Sequence, residues 1–203
     1  MQVLIIFENM KLKILFFLLL TFFTKANSIL LPMDAEGQQN HLKAYGITYW
    51  ALTKDYKVNW LLNYRGGSFL MPDTEEIRRE CKIRGVTFEI LSDGNTASIL
   101  EDISSPSQNM ESVVLEKAPK IAVYTPKGLQ PWDDAVTMVL TYAEIPYTEV
   151  YDEEVLSDQL LLYEWLHLHH EDFTGQYGKF FGAYRNAPWY IEQKLEAEKL
   201  ANK

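Results

Sequence analysis

Three of the four histidines in the chain fall within four positions, His167, His169 and His170, and Glu171 and Asp172 follow directly. Imidazoles and carboxylates are the side chains that move protons or bind divalent metals near neutral pH, so this stretch holds the densest potential for chemistry. On a strand, His167 and His169 point to one face while Leu166 and Leu168 point to the other. Glu171 and Asp172 then fall at the carboxyl end of that strand, where open α/β sheets hold their ligands. Three readings fit. His167, His169 and Glu171 can supply three ligands to zinc or another divalent cation. One histidine with Glu171 or Asp172 can act as an acid/base dyad or contact a substrate, with Gly175, Gln176 and Tyr177 alongside. Finally, these groups can hydrogen-bond one another and tether the loop 174–178 without doing chemistry. The spacing leaves all three open and assigns no catalytic residue. No cofactor is expected, and a divalent metal enters only with the first reading.

A second group is Arg65, Gly66, Gly67 and Ser68. Adjacent glycines expose backbone N–H groups and Arg65 adds a planar fork, so a carboxylate or phosphate could be held there. The spacing matches neither a dinucleotide fingerprint nor a P-loop, and an ordinary tight turn explains it equally well. A third group, Asp133 and Asp134 after Pro131 and Trp132, reads as the capped start of a helix. Cys81, the single cysteine, can form no internal disulfide. It recurs with Ile77 on one helical face as a small buried hydrophobe.

The elements that must position these groups alternate between short β-rich runs and helical patterns, which is the signature of a parallel sheet covered by helices. Strands are expected at 47–52, 58–64, 86–91, 121–124, 147–151 and 164–169. A helix is expected over 73–84, opened by Asp73 and Glu76 in capping-box spacing and closed at Gly85. Another runs from Trp132 to Glu144 with Ala135, Val136, Val139, Leu140 and Ala143 as its apolar stripe, and a last one runs from Pro188 to Lys203. The Ser- and Pro-containing stretch 104–119 reads as a connector. The expected fold is therefore α/β, a doubly wound and mainly parallel sheet of flavodoxin-like or class I glutamine-amidotransferase-like type. Its regions are 29–118 and 119–203. Because a helix in such a fold leads back to another strand, the sheet is expected to be incomplete at the C-terminus.

The N-terminus carries a different message. After Met10, which reads as the true start, come Lys11 and Lys13, then ten residues from Ile14 to Phe23 interrupted only by Thr21. A small-x-small site ends at Ser28, so residues 1–28 read as a secretory signal and the mature chain is expected to begin near Ile29. A membrane-spanning helix needs about 20 apolar residues, so no membrane insertion is expected after cleavage. With no cysteine directly after the apolar run to carry a lipid anchor, the expected destination is the periplasm. Cleavage removes three lysines and one glutamate, leaving 16 basic against 27 acidic residues. Such a surface repels nucleic acid. The expected partner is a small molecule or a protein ligand held at the strand ends.

Four strings belong together: HLKAYG at 41–46, WLLNYRGGSF at 60–69, PWDDAV at 131–136 and LHLHHEDFTGQYG at 166–178. Jointly they resemble an exported protein family of Bacteroidota whose members are commonly labelled asparagine synthetase B, over nearly all of the mature chain. That label implies an exposed N-terminal cysteine nucleophile and a Ser-Gly-Gly-x-Asp-Ser loop for ATP. Here Ile29 follows the expected cleavage site, Cys81 is internal and the glycine pair lies in Arg65-Gly-Gly-Ser68, so no residue supports it. The order of elements from Lys120 onward resembles instead the first half of the class I glutamine-amidotransferase-like fold. This resemblance implies a nucleophilic cysteine on a later strand-to-helix turn, beyond Lys203, with the histidine cluster flanking the pocket. The expected function is the N-terminal part of an exported amidotransferase-like protein, inactive by itself. The alternatives are a non-catalytic binding or assembly domain and a metal-dependent hydrolase.

Overall fold

The computed structural model describes residues 27–125, 135–168 and 176–202. Its contacts divide the chain into one unit ending at Glu116 and another beginning at Lys117. The first unit holds strands β1 (Ser28–Leu31), β2 (Val58–Leu62), β3 (Ser68–Pro72), β4 (Glu89–Leu91) and β5 (Glu111–Leu115), with helices α1 (His41–Thr53), α2 (Glu75–Arg84) and α3 (Asp93–Ser104). Its sheet has five strands in the order β4-β1-β3-β2-β5. Every pairing in it is antiparallel.

Local chemistry explains the pairing. β2 and β3 are joined only by residues 63–67, too few for a parallel crossover, so the two form a hairpin. Asn63, Arg65, Gly66 and Gly67 all take positive φ there. At Gly66 (φ 79°) a side chain would also collide with backbone, since a β-carbon would lie 2.3 Å from the Met33 carbonyl oxygen. α1 begins at Asn40, whose side chain accepts from the Lys43 amide at 3.3 Å. α2 begins at Thr74, whose Oγ1 accepts from the Ile77 amide at 3.2 Å. This corrects the cap expected at Asp73. The Asp73 carboxylate takes two bonds from Arg78 instead, at 2.5 and 2.7 Å. α2 ends at Gly85 in the left-handed conformation (φ 67°).

Both faces of this sheet are covered. Leu30, Leu61, Leu70 and Leu91 form one buried cluster with Ile103 of α3, and Ile99, Leu100, Tyr64 and Met110 pack against it. Ile29, Leu31, Phe69 and Met71 alternate to the opposite face and are equally buried. There the ring of Tyr45 from α1 meets Phe69 edge-on with centroids 5.4 Å apart. Each fully buried leucine or isoleucine contributes roughly 2 kcal/mol.

The second unit holds β6 (Ile121–Tyr124), α4 (Ala135–Ala143), β7 (Thr148–Val150), α5 (Asp152–Leu156), a 3₁₀ turn (Gln159–Leu162), β8 (Trp165–Leu168), α6 (Gln176–Tyr184) and α7 (Pro188–Ala201). Its three strands are parallel, in the order β7-β6-β8. The central β6 buries Ile121, Ala122 and Val123 with Val150, Leu140 and Ala143. Glu164 fixes the start of β8. Its carboxylate accepts the Lys120 amide at 2.5 Å, and the Lys120 carbonyl accepts the amides of Glu164 and Trp165. α6 and α7 meet through rings, Phe181 on Tyr190 at 5.5 Å and Tyr184 on Trp189 at 5.9 Å.

The expectation of one doubly wound, mainly parallel sheet of flavodoxin-like or class I glutamine-amidotransferase-like type is overturned. The chain is mixed α/β, with an antiparallel five-stranded sheet and a separate, small parallel one. Three local misreadings account for this. Residues 47–52 lie inside α1, because tertiary burial of Ala44, Ile47, Thr48, Ala51 and Leu52 overrides the β preference of their neighbours. The Thr48 hydroxyl bonds back to the Ala44 carbonyl at 3.0 Å, as helical threonines do. β1 and β3 were not expected as strands, and the supposed connector 104–119 contains β5, paired to β2 along its whole length.

Candidate functional site

Two polar groupings stand out, one in each unit. In the first unit, the end of β1, the start of β3 and the start of β4 come together. Arg65 Nε donates to Asp34 Oδ2 at 2.6 Å and Nη1 donates to Glu89 Oε1 at 2.8 Å. These two carboxylates raise the guanidinium pKa further, and the hydrogen bond from Arg65 holds the Asp34 carboxyl below its usual range. Asp34 Oδ1 also accepts the Gly37 amide at 2.7 Å. Gln38, 1% exposed, is saturated. Its Nε2 donates to the carbonyls of Pro32 and Thr87, and its Oε1 accepts the amides of Asn40 and Thr87. His41 Nε2 lies 3.1 Å from the Met33 carbonyl oxygen.

The rest of the turn is closed on itself. The amides of Gly67 and Ser68 donate to the Tyr64 carbonyl, Ser68 Oγ donates to the Arg65 carbonyl, and Trp60 Nε1 donates to the Gly67 carbonyl. The Arg65 fork is thus directed at two carboxylates of the same chain. That arrangement locks three segments together and leaves the local field unfavourable to a further anion.

In the second unit the carboxyl ends of the parallel strands carry the other grouping. Tyr124, the last residue of β6, donates its hydroxyl proton to Asp152 Oδ1 at the start of α5. Its ring lies against that of Tyr151, centroids 5.2 Å apart. Burial, then the nearby Asp152, raises the phenol pKa of both tyrosines. The Tyr151 amide donates to Glu154 at 3.0 Å. Thr125 follows β6, and its amide continues the ladder to the Val150 carbonyl at 2.9 Å. It is 1% exposed, and its Oγ1 has no hydrogen-bond partner among the described residues.

His167 lies in β8 opposite Val123 of β6, while Leu168 lies opposite Tyr124. His167 therefore shares a face with Val123, and Tyr124 belongs to the other. The two are not brought together. Of the other expected ligand residues, His169, His170, Glu171, Asp172 and Gly175 lie outside the described residues, as do Asp133 and Asp134, while Gln176 and Tyr177 open α6. Of the metal set His167, His169 and Glu171, only His167 is described. Among the described residues no cluster of three His, Cys, Asp or Glu side chains is arranged to hold a metal ion.

Asp34, Gln38, His41, Glu89, Tyr124, Thr125 and Asp152 were not singled out from sequence. The readable signal for the last three was a strand ending in Tyr-Thr-Pro and a later strand ending in Tyr-Asp, two polar strand ends in one βαβ unit. Asp34 and Glu89 are legible only as the acids that neutralise Arg65. No family model, curated protein or solved structure matches the chain.

Proposed function

We propose that the chain is an exported binding module whose second unit holds a small polar molecule against the carboxyl ends of its parallel strands. The observation that carries the reading is the buried hydroxyl of Thr125 at the carboxyl end of β6, which has no partner among the described residues. A buried hydroxyl without a partner is disfavoured, and a ligand supplying one relieves it. Parallel sheets hold ligands at this end of their strands. Asp152, Glu153 and Glu154 stand together there, so the field favours neutral or cationic molecules over anions. A hydroxyl- or amide-bearing ligand, able both to donate and to accept, suits the Thr125 hydroxyl, which by the alternation of β6 belongs to the face of Val123 and not to that of Tyr124. Export is supported by Lys11 and Lys13 ahead of the apolar run 14–23, and by the resemblance to an exported Bacteroidota family.

The test is thermal unfolding of the protein with millimolar L-glutamine, L-asparagine or D-glucose. At least one probe is expected to raise Tm, since binding to the folded state alone stabilises it. Thr125→Val is expected to leave the ligand-free protein as stable as before or slightly more so, and to abolish the response. An equal response in the variant, or none in the parent with any probe, would sink the reading.

A further inference from the structure

We propose that export processing cuts after Ala26, so that the mature chain begins at Asn27 and not at Ile29. The proposal rests on the export reading. Two small-x-small registers overlap in the sequence, Thr24-Lys25-Ala26 and Ala26-Asn27-Ser28, and by residue type either can be cut. They differ in which residue receives the new α-amine, and only one of the two mature ends suits the fold.

β1 is an interior strand, paired to β3 on one side and to β4 on the other. Ile29 is 0% exposed, whereas Asn27 and Ser28 are half-buried. The Asp73 amide donates to the Asn27 carbonyl at 3.1 Å, which fixes the phase of the β1–β3 ladder. Bonded pairs recur at every second residue of an antiparallel ladder, so Ile29 and Met71 form the next one. Cutting after Ser28 turns the Ile29 amide into an ammonium group, charged at neutral pH because an α-amine titrates near about 8. That charge would sit on the first residue of a strand flanked by β3 and β4, opposite Met71 and Ile90, and burial there disfavours the charged form. The same cut removes the Asn27 carbonyl from the Asp73 amide. The Asp73 side chain, 2% exposed, is already engaged by two bonds from Arg78.

Cutting after Ala26 has neither consequence. The amine then falls on Asn27, ahead of the first residue of β1 and within reach of water. The whole strand and the bond to Asp73 are retained.

The experiment is to express the full 203-residue chain in a bacterial host and determine the exported product by intact mass and N-terminal sequencing. The expected first residue is Asn27. Thr24→Asp spoils only the first register and is expected to suppress that product; Ser28→Lys spoils only the second and is expected to leave the cut in place, since the first register is intact. A product starting at Ile29, or at any residue other than Asn27, overturns the proposal while leaving export intact. An uncleaved chain retained in the cytoplasm overturns both.

Discussion

Arg65 Nε donates to Asp34 Oδ2 at 2.6 Å, which ties the β2–β3 turn by charge to the loop leaving β1. Beside it the backbones themselves close up, with the Met33 amide donating to the Arg65 carbonyl at 3.1 Å. The turn therefore works as a clasp between two strands, and its residues are sensitive to different kinds of damage.

Gly66→Ala should be severe. Its β-carbon would meet the Met33 carbonyl oxygen at 2.3 Å in a backbone already at φ 79°. A loss of about 2 kcal/mol or more is expected from urea unfolding. Gly67→Ala is the control, because at φ 91° it shares the backbone strain while its β-carbon meets only the Trp60 side chain, at 3.4 Å. It should lose less, and equal losses would contradict the clash.

Acid should erase the contribution of Arg65. The folded-state pKa of Asp34 is depressed, chiefly by the hydrogen bond from Arg65. A depressed carboxyl pKa stabilises the fold above the unfolded value, near about 4, and that stabilisation is lost as pH falls through the folded value. The stability difference between the parent and Arg65→Met should therefore be constant from pH 7 to 5 and shrink below pH 4. Denaturant midpoints across that range provide the measurement. A difference that widens on acidification would contradict the pairing.

The Cys81 thiol should be inert in the folded protein. It is 0% exposed, and burial pushes its pKa up to about 12, so almost no thiolate exists at neutral pH. Dithiobis-nitrobenzoate should label it only at the rate at which the first unit opens, and in full once urea unfolds the chain. Stoichiometric labelling within seconds in buffer would contradict the packing of α2.

What could be read from the sequence followed the strength of local signals. β6 is found over the expected residues Ile121–Tyr124, and α2 ends at the expected Gly85, because a short run rich in strand formers and a left-handed glycine are local statements. The pairing direction of the first unit was not legible. It depends on β3, whose Ser-Phe-Leu-Met-Pro has no alternation because both of its faces are buried. α1 was half-misread for a related reason. Its buried Ala44, Ile47, Thr48, Ala51 and Leu52 form one face, but Leu42 and Tyr45 stand exposed outside it, so its apolar residues show no single stripe. The Arg65 turn was visible as a turn, but its partners Asp34 and Glu89 are distant in sequence and no local pattern joins them. At the other site the histidines drew attention by their crowding, while Tyr124 and Thr125 are ordinary residues made unusual only by burial.

The place of β1 in its sheet has a consequence in time. This strand is synthesised before either neighbour, yet its partners are Ser68–Pro72 and Glu89–Leu91. Closing such long loops is what slows folding, so the earliest strand waits exposed until a hairpin and a helix have been made. A chain that cannot shelter its leading residues stays threadable. If the chain is exported as proposed, late closure keeps this strand loose during passage through a membrane channel.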